Sequence, residues 1–362
     1  MQSISNGYFF LSLYQVYPSY HGASEISLNF FEYWPDKNKK FLQISNSSKK
    51  QDKIFNLRKR KNLFGTLINL ILAVREAKKY LSNYKNKYII IEGASWAGYI
   101  FTFIIFSKLF ISNVKIVYHA HNLEYEVRKL KNSKFISYLT FFFEKYIYKN
   151  TFGTTVSKKD YLFVKNIYNQ KSIIFENGVS EIKDKKIINN KITKKNFLLF
   201  CGSYTYWPNK VAIDKIYKQR NIIKKIFPNI KFLITGEGCP NFQDKNFINL
   251  KIIKKNNLIW LIKNCLFFYA PLPKAPGTKI KILEALYYGA KTVCSNYSLT
   301  GIKKIEGINN LFVTTDANLS KTLEKMKINN NIKKNNEFKK YYNFNKKVVN
   351  FYEKNFSDNF KR

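Results

Sequence analysis

Short, unbroken apolar runs alternate along the chain with longer stretches in which apolar positions recur every third or fourth residue. These are the signatures of buried strands and of amphipathic helices. In the first half, residues 8–13, 41–44, 88–92, 114–118, 154–157 and 172–175 read as strands. Helices are predicted between them over 24–34, capped by Ser24, and over 63–81, 97–111, 135–148 and 158–168. The 63–81 helix is apolar enough through Val74 to be expected largely buried. The second half repeats the alternation, with strands at 197–201, 231–235, 249–253, 266–270, 292–295 and 311–314. Its helices are predicted at 207–227, 258–264, from 278 onward and at 317–328. Strands that are apolar throughout belong in parallel sheets covered by helices on both faces. The fold class is therefore α/β, with a Rossmann-like domain in each half.

A polar, Lys- and Asn-rich stretch at 181–195 separates the halves and reads as a linker. The expected domains are 1–180 and 196–340, and a final helix at 344–356 occupies the remaining 341–362. A chain of 362 residues suffices for two such cores. Charge then narrows the partners. The formal net charge is +40, with 57 Lys and only six Arg among the 63 basic residues. Abundant Lys, Asn and Ile point to an A/T-rich coding bias, yet the scarcity of Asp and Glu leaves an excess with a sign, which favours anionic partners. Lys49, Lys50, Lys53, Arg58, Lys59, Arg60 and Lys61, opposed only by Asp52, read either as a solvated face or as a dock for anionic lipid. Nucleic acid is not expected, because no recognised motif accompanies the charge and Arg is almost absent. Cys201, Cys239, Cys265 and Cys294 form no metal or redox signature and fit a reducing cytosol. No secretory signal is visible, and the most apolar run, 97–111, is shorter than the ~20 residues a membrane span needs. The expected place is cytoplasmic, peripheral on the inner face of the membrane.

Candidate chemistry concentrates around residues 276–289. Thr278 sits where a helix cap should sit, and Ile280, Leu283 and Tyr287 mark one helix face. Lys279 and Lys281 then fall in the first turn, where the helix dipole favours carboxylates. Two cations there make sense around a bound anion, with Gly277 permitting close approach. Glu284, one turn on, can reach a hydroxyl pair, so the arrangement has the shape of a nucleotide site. The alternative is a solvated helix in a lysine-rich chain.

A second cluster, His119-Ala120-His121-Asn122-Leu123-Glu124, leaves a strand and enters a helix carrying Arg128. His-x-His can hold a metal, but no third ligand of suitable spacing is apparent; a surface pair without a role is the alternative. His21 and Gly22 lie in a turn after the first strand, either an ordinary connection or a ligand loop.

These residues resemble the motifs of GT-B glycosyltransferases, in the retaining, nucleotide-sugar-dependent group 1 (family 4-like) branch. Gly277, Thr278, Lys279, Lys281, Glu284, Ala285 and Gly289 match its Gly-Thr-(Arg/Lys)-x-Lys-x-x-Glu-Ala…Gly donor motif. His121, Asn122, Glu124 and Arg128 match its His-Asn-x-Glu-x-x-x-Arg segment, and Glu176-Asn177-Gly178-Val179 its interdomain turn. Gly202-Ser203, Trp207-Pro208-Asn209 and Gly236-Glu237-Gly238 follow in the family's order. The resemblance implies two Rossmann-like domains facing across a cleft, with the final helix returning to the first. It implies transfer of a sugar, hexosyl-like and with retention, from a nucleotide diphosphate donor to a glycan or lipid-linked acceptor, as in cell-surface polysaccharide or lipopolysaccharide synthesis. Gly202, Ser203, Gly277 and Thr278 would contact the donor, Lys279 and Lys281 would neutralise the diphosphate, and Glu284 would hold the ribose. His121 would serve the chemical step, with Asn122, Glu124 and Arg128 on the sugar or acceptor side and His21 and Gly22 as the N-terminal loop. His119, taken to face the other way, would matter less. No metal or further cofactor is implied. Pro276 stands where many relatives carry a second glutamate that meets the sugar, which leaves the sugar open. The rival expectation is a basic binding protein, for nucleic acid or as an inactive transferase-like module.

Overall fold

The computed structural model describes residues 6–19, 22–49, 51–131, 134–186, 195–275, 277–303, 308–329 and 336–356. His21, Lys50 and Pro276, singled out from the sequence, lie outside them. The chain divides into two compact units, Met1–Asn177 with Phe344–Arg362, and Gly178–Asn343.

In the first unit, β1 (Asn6–Ser12), β2 (Lys39–Ser45), β3 (Ile54–Arg58), β4 (Asn86–Gly93), β5 (Val114–Ala120), β6 (Phe152–Thr155) and β7 (Ile173–Ile174) form one sheet. Its order is β3-β2-β1-β4-β5-β6-β7, and every pairing is parallel. β1 is buried along its whole length, as a central strand must be when helices cover both faces. The order reverses between β1 and β4, which opens a crevice at their carboxyl ends. The helix Phe344–Phe356 packs on this unit: Trp34 sits 5.2 Å from the rings of both Tyr352 and Phe356, and Lys347 pairs with Glu176 at 3.2 Å.

The second unit carries β8 (Phe197–Cys201), β9 (Lys231–Thr235), β10 (Phe247–Asn249), β11 (Phe267–Ala270), β12 (Thr292–Cys294) and β13 (Leu311–Val313), in the order β10-β9-β8-β11-β12-β13. All its pairings are parallel, and the switch point lies between β8 and β11. Its core is a continuous apolar cluster from Leu198 and Phe200 through Ile234 and Phe268 to Val293.

Three local expectations fail for physical reasons, and one strand was not foreseen. Residues 54–58 form an edge strand, because pairing along one side tolerates a charged, exposed segment. The strand expected at 249–253 ends at Asn249, and Lys251 at φ 53° turns the backbone out of the sheet. The first helix starts at Gly22, so Ser24 lies in its first turn and donates to the Gln15 carbonyl at 2.7 Å. The helix Leu63–Leu81 buries Gly65, Asn69, Leu70, Ala73, Val74, Ala77 and Leu81. A helix can turn only one face to the sheet, so Leu63 and Phe64 are left 72% and 71% exposed and Ile71 49%.

Candidate active site

In the second unit, the two loops that carry the donor motif leave neighbouring strands at the switch point. Gly202 follows β8, and the loop after β11 leads into the helix Ile280–Tyr287. The Lys281 side chain is half-buried between them. Its Nζ donates to Asn209 Oδ1 at 2.6 Å and stands 4.5 Å over the Phe200 ring. Burial pushes its pKa down to about 8 from 10.5. A charged group held next to a neutral amide and a ring is under-compensated, as an anion-binding group should be. Asn209 is fixed in turn by its amide, which donates to the Ser203 carbonyl at 2.9 Å. Gly202 leaves the space this needs, because a Cβ there would run into the Lys281 ammonium and the Asn209 amide.

The other motif residues are placed differently from the sequence expectation. The helix begins at Ile280 and Lys279 is its cap residue, so Thr278 lies one position too early to cap it. Thr278 Oγ1 is buried with no hydrogen-bond partner among the described residues. Gly277 holds φ 78°, a left-handed turn that glycine adopts without strain, just before the helix. Lys279 folds back on its own loop, with Nζ donating to the carbonyls of Ala275 at 2.8 Å and Gly277 at 2.5 Å. Glu284 is buried and ion-paired with Lys255, on the first turn of the helix Lys255–Asn264. Lys255 could not be told apart in the sequence from 56 other lysines, and Asn209 was visible only as part of a helix start.

In the first unit, the parallel register of β4 on β5 places Glu92 opposite His119. His121, two residues on, shares that face, so the expectation that the two histidines diverge is wrong: successive side chains alternate, and i, i+2 coincide. Glu92 Oε2 receives His119 Nδ1 at 3.0 Å, His121 Nε2 at 2.8 Å and the Ser27 hydroxyl at 2.6 Å. Tyr14 OH contacts the same hydroxyl at 2.7 Å. His119 is packed in, stacked on Phe30 at 4.1 Å. Burial favours a neutral Glu92, yet the electrostatic pull of His119 and the hydrogen bonds from both rings prevail and hold its pKa at about 2. Burial lowers the pKa of His121 despite Glu92. Glu92 also supplies the carboxylate that sequence spacing had not provided for a two-histidine cation site. The signal for it was a lone carboxylate closing the run Ile89-Ile90-Ile91.

The next helix, Glu124–Lys131, is capped by a residue the sequence did not point to. Glu144 accepts the Glu124 and Tyr125 amides at 2.8 and 3.0 Å and the Tyr168 hydroxyl at 2.7 Å, and its burial raises the carboxyl pKa to about 7. Asn122, expected on the sugar or acceptor side, has its Oδ1 buried without a partner among the described residues. Arg128 Nε binds Glu124 Oε1 at 2.6 Å, as an i, i+4 pair. Gly22 opens the helix Gly22–Tyr33, which carries Ser27 into the histidine cluster.

No family model matches the chain, and no curated protein matches it by sequence. Solved structures do match, across both units. HepE of Anabaena in complex with UDP and glucose aligns with a TM-score of 0.66 at 14% identity, over 96% of this chain and 98% of that one. A glycosyltransferase of Rickettsia africae aligns at 0.64 and 13%, over 97% and 98%. WaaG, a glycosyltransferase involved in lipopolysaccharide biosynthesis, aligns at 0.60 and 12%, over 95% and 94%. The fold is GT-B. Within it, Lys281 and Glu284 belong to the second Rossmann-like unit and the histidine cluster to the first.

Proposed function

We propose that this chain is a glycosyltransferase that moves a hexose from a nucleoside diphosphate donor to a hydroxyl of a glycan or glycolipid, with retention. The observation that carries the reading is the under-compensated Lys281 ammonium at the β8/β11 switch point, beside a glycine that keeps the space open. HepE, of the same fold, is described with UDP and with UDP-glucose, which supports a nucleotide sugar as donor. Lys281 neutralises charge that grows on the departing diphosphate, where stabilisation lowers the barrier most. Glu284 keeps Lys255 and still has acceptor capacity for ribose hydroxyls, since a carboxylate offers about four lone-pair sites. His121 contacts the reacting sugar, and no metal is required when lysine supplies the charge. A thermal-shift panel of nucleoside mono- and diphosphates and nucleotide sugars tests this. A diphosphate should raise the Tm well beyond its nucleoside; equal shifts, or none, refute the donor assignment. His121→Ala should then lower kcat while leaving nucleotide affinity unchanged.

The acceptor side of the proposal includes an anionic membrane at the cytoplasmic face, as suits a glycolipid acceptor. No helix among the described residues is long and apolar enough to cross a membrane. Support comes from the helix Leu63–Leu81, whose exposed Leu63, Phe64, Leu67 and Ile71 follow directly on the exposed cations Arg58, Lys59, Arg60 and Lys61. Apolar side chains at a basic helix start suit the headgroup boundary of an acidic bilayer.

A further inference from the structure

The Glu92 cluster carries more than the sequence motif assigns. Three hydrogen bonds converge on one carboxylate oxygen: Ser27 at 2.6 Å, His121 at 2.8 Å and His119 at 3.0 Å. A carboxylate only accepts, so each imidazole nitrogen that faces it must carry the proton. A neutral imidazole has one N–H, and the opposite nitrogen is then a bare lone pair. The two rings meet the carboxylate through different nitrogens, Nδ1 of His119 and Nε2 of His121. They are therefore held in opposite tautomers. Side-chain exposure decides which is the working ring: 6% for His121, against 1% for His119 and none for Glu92. His119 Nε2 is sealed in the core without a partner among the described residues, so its lone pair serves no ligand.

We propose that Glu92 is a positioning residue that locks His121 as the Nε2–H tautomer, so that Nδ1 presents a permanent lone pair to a sugar hydroxyl. The inference rests on the glycosyltransferase reading for the ligand, but the locked tautomer stands by itself. His119 completes the clamp: wedged between Phe30 and Phe175, it donates Nδ1–H and keeps Glu92 ionised. Tyr14 and Ser27 extend the chain of donors, with Tyr14 OH donating to Ser27 Oγ and Ser27 to Glu92. A site that can only accept a hydrogen bond selects a ligand with a hydroxyl there and rejects the deoxy analogue, whose loss leaves the acceptor unpaired. Glu92, His119 and His121 together also have the makings of a cation site. The contact distances argue for protons. Ligands at about 2.05 Å from a tetrahedral metal stand about 3.4 Å apart, longer than the 2.8 and 3.0 Å found.

The chain has three histidines, so ring-15N histidine labelling and long-range 1H–15N correlation of the full-length protein can read each tautomer. The expected result is one ring protonated at Nδ1 and another at Nε2, assigned by losing each signal in His119→Gln and His121→Gln. All three bonds end on Oε2 and Oε1 has no partner among the described residues, so a glutamine could still accept from both rings; Glu92→Leu removes the shared acceptor and should set both rings exchanging between tautomers. It should also lower kcat about 10–100-fold with KM for the donor little changed, and Glu92→Asp should recover part of the loss. Nε2–H on both His119 and His121 in the wild type would overturn the lock. So would one equivalent of zinc that co-purifies, shifts both rings and is needed for turnover. Locked tautomers without turnover of any nucleotide sugar would sink the transferase reading alone.

Discussion

The sharpest consequence concerns Lys281, because the property that suits it to bind an anion should cost the empty protein stability. Its pKa falls from 10.5 to about 8 as burial strips water from the ammonium. At ~1.4 kcal/mol per pH unit, the charged form is penalised by about 3 kcal/mol. Removing the ammonium would in turn leave Asn209 Oδ1 without its donor, at a cost of about 1–2 kcal/mol, so the net gain from losing the charge is about 1–2 kcal/mol. The sign with pH follows. Below pH 8 both folded and unfolded chains carry the proton; between 8 and 10.5 only the unfolded chain does, so stability rises with pH across that window. Lys281→Met keeps the aliphatic stem and removes the charge. At pH 7 it should raise Tm by roughly 2–6 °C and remove the stability gain between pH 8 and 10. The same variant should lose about 10–100-fold in affinity for a nucleoside diphosphate by calorimetry, and almost nothing for the nucleoside. A variant that melts lower at pH 7, or binds diphosphate like the wild type, refutes the account of this lysine.

Other outcomes follow from the same geometry. Diphosphate affinity of the wild type should fall as pH rises through about 8, with proton uptake on binding above that pH, measured by calorimetry in buffers of different ionisation enthalpy. Glu144 runs the opposite way. Its carboxyl is raised to about 7, so it contributes most stability below about 4.5 and loses it as pH climbs to 7. Glu144→Gln should thus gain stability relative to the wild type between pH 5 and 7.5 in denaturant titrations, and a constant difference would remove the raised carboxyl. Leu63→Ser with Phe64→Ser should weaken co-sedimentation with phosphatidylserine vesicles while keeping the fold by circular dichroism. Replacing Arg58, Lys59, Arg60 and Lys61 by Glu should abolish it at low salt; retention by both variants means the face is merely solvated.

The division of labour between sequence and tertiary structure runs through particular residues. Apolar periodicity determined the α/β alternation almost to the residue, as in the helix Leu63–Leu81 and the strands Phe197–Cys201 and Lys231–Thr235, because burial on a parallel sheet demands unbroken apolar runs. Gly277 was legible as a glycine that leaves room for an anion, whereas its left-handed turn at φ 78° came from the structure. Side-chain partners were not. Glu92 stands 27 and 29 residues from the histidines it holds, and only the register of β4 on β5 makes them neighbours. The same is true of Lys255 against Glu284, Asn209 against Lys281, and Glu144 at the end of the Glu124 helix. Nor does periodicity say which side of an apolar helix finds a sheet, which is why Leu63 and Phe64 are in water. Local patterns encode which segments must be buried, because that cost is paid residue by residue. Pairing of polar groups is set by strand order and register, which the whole core decides at once.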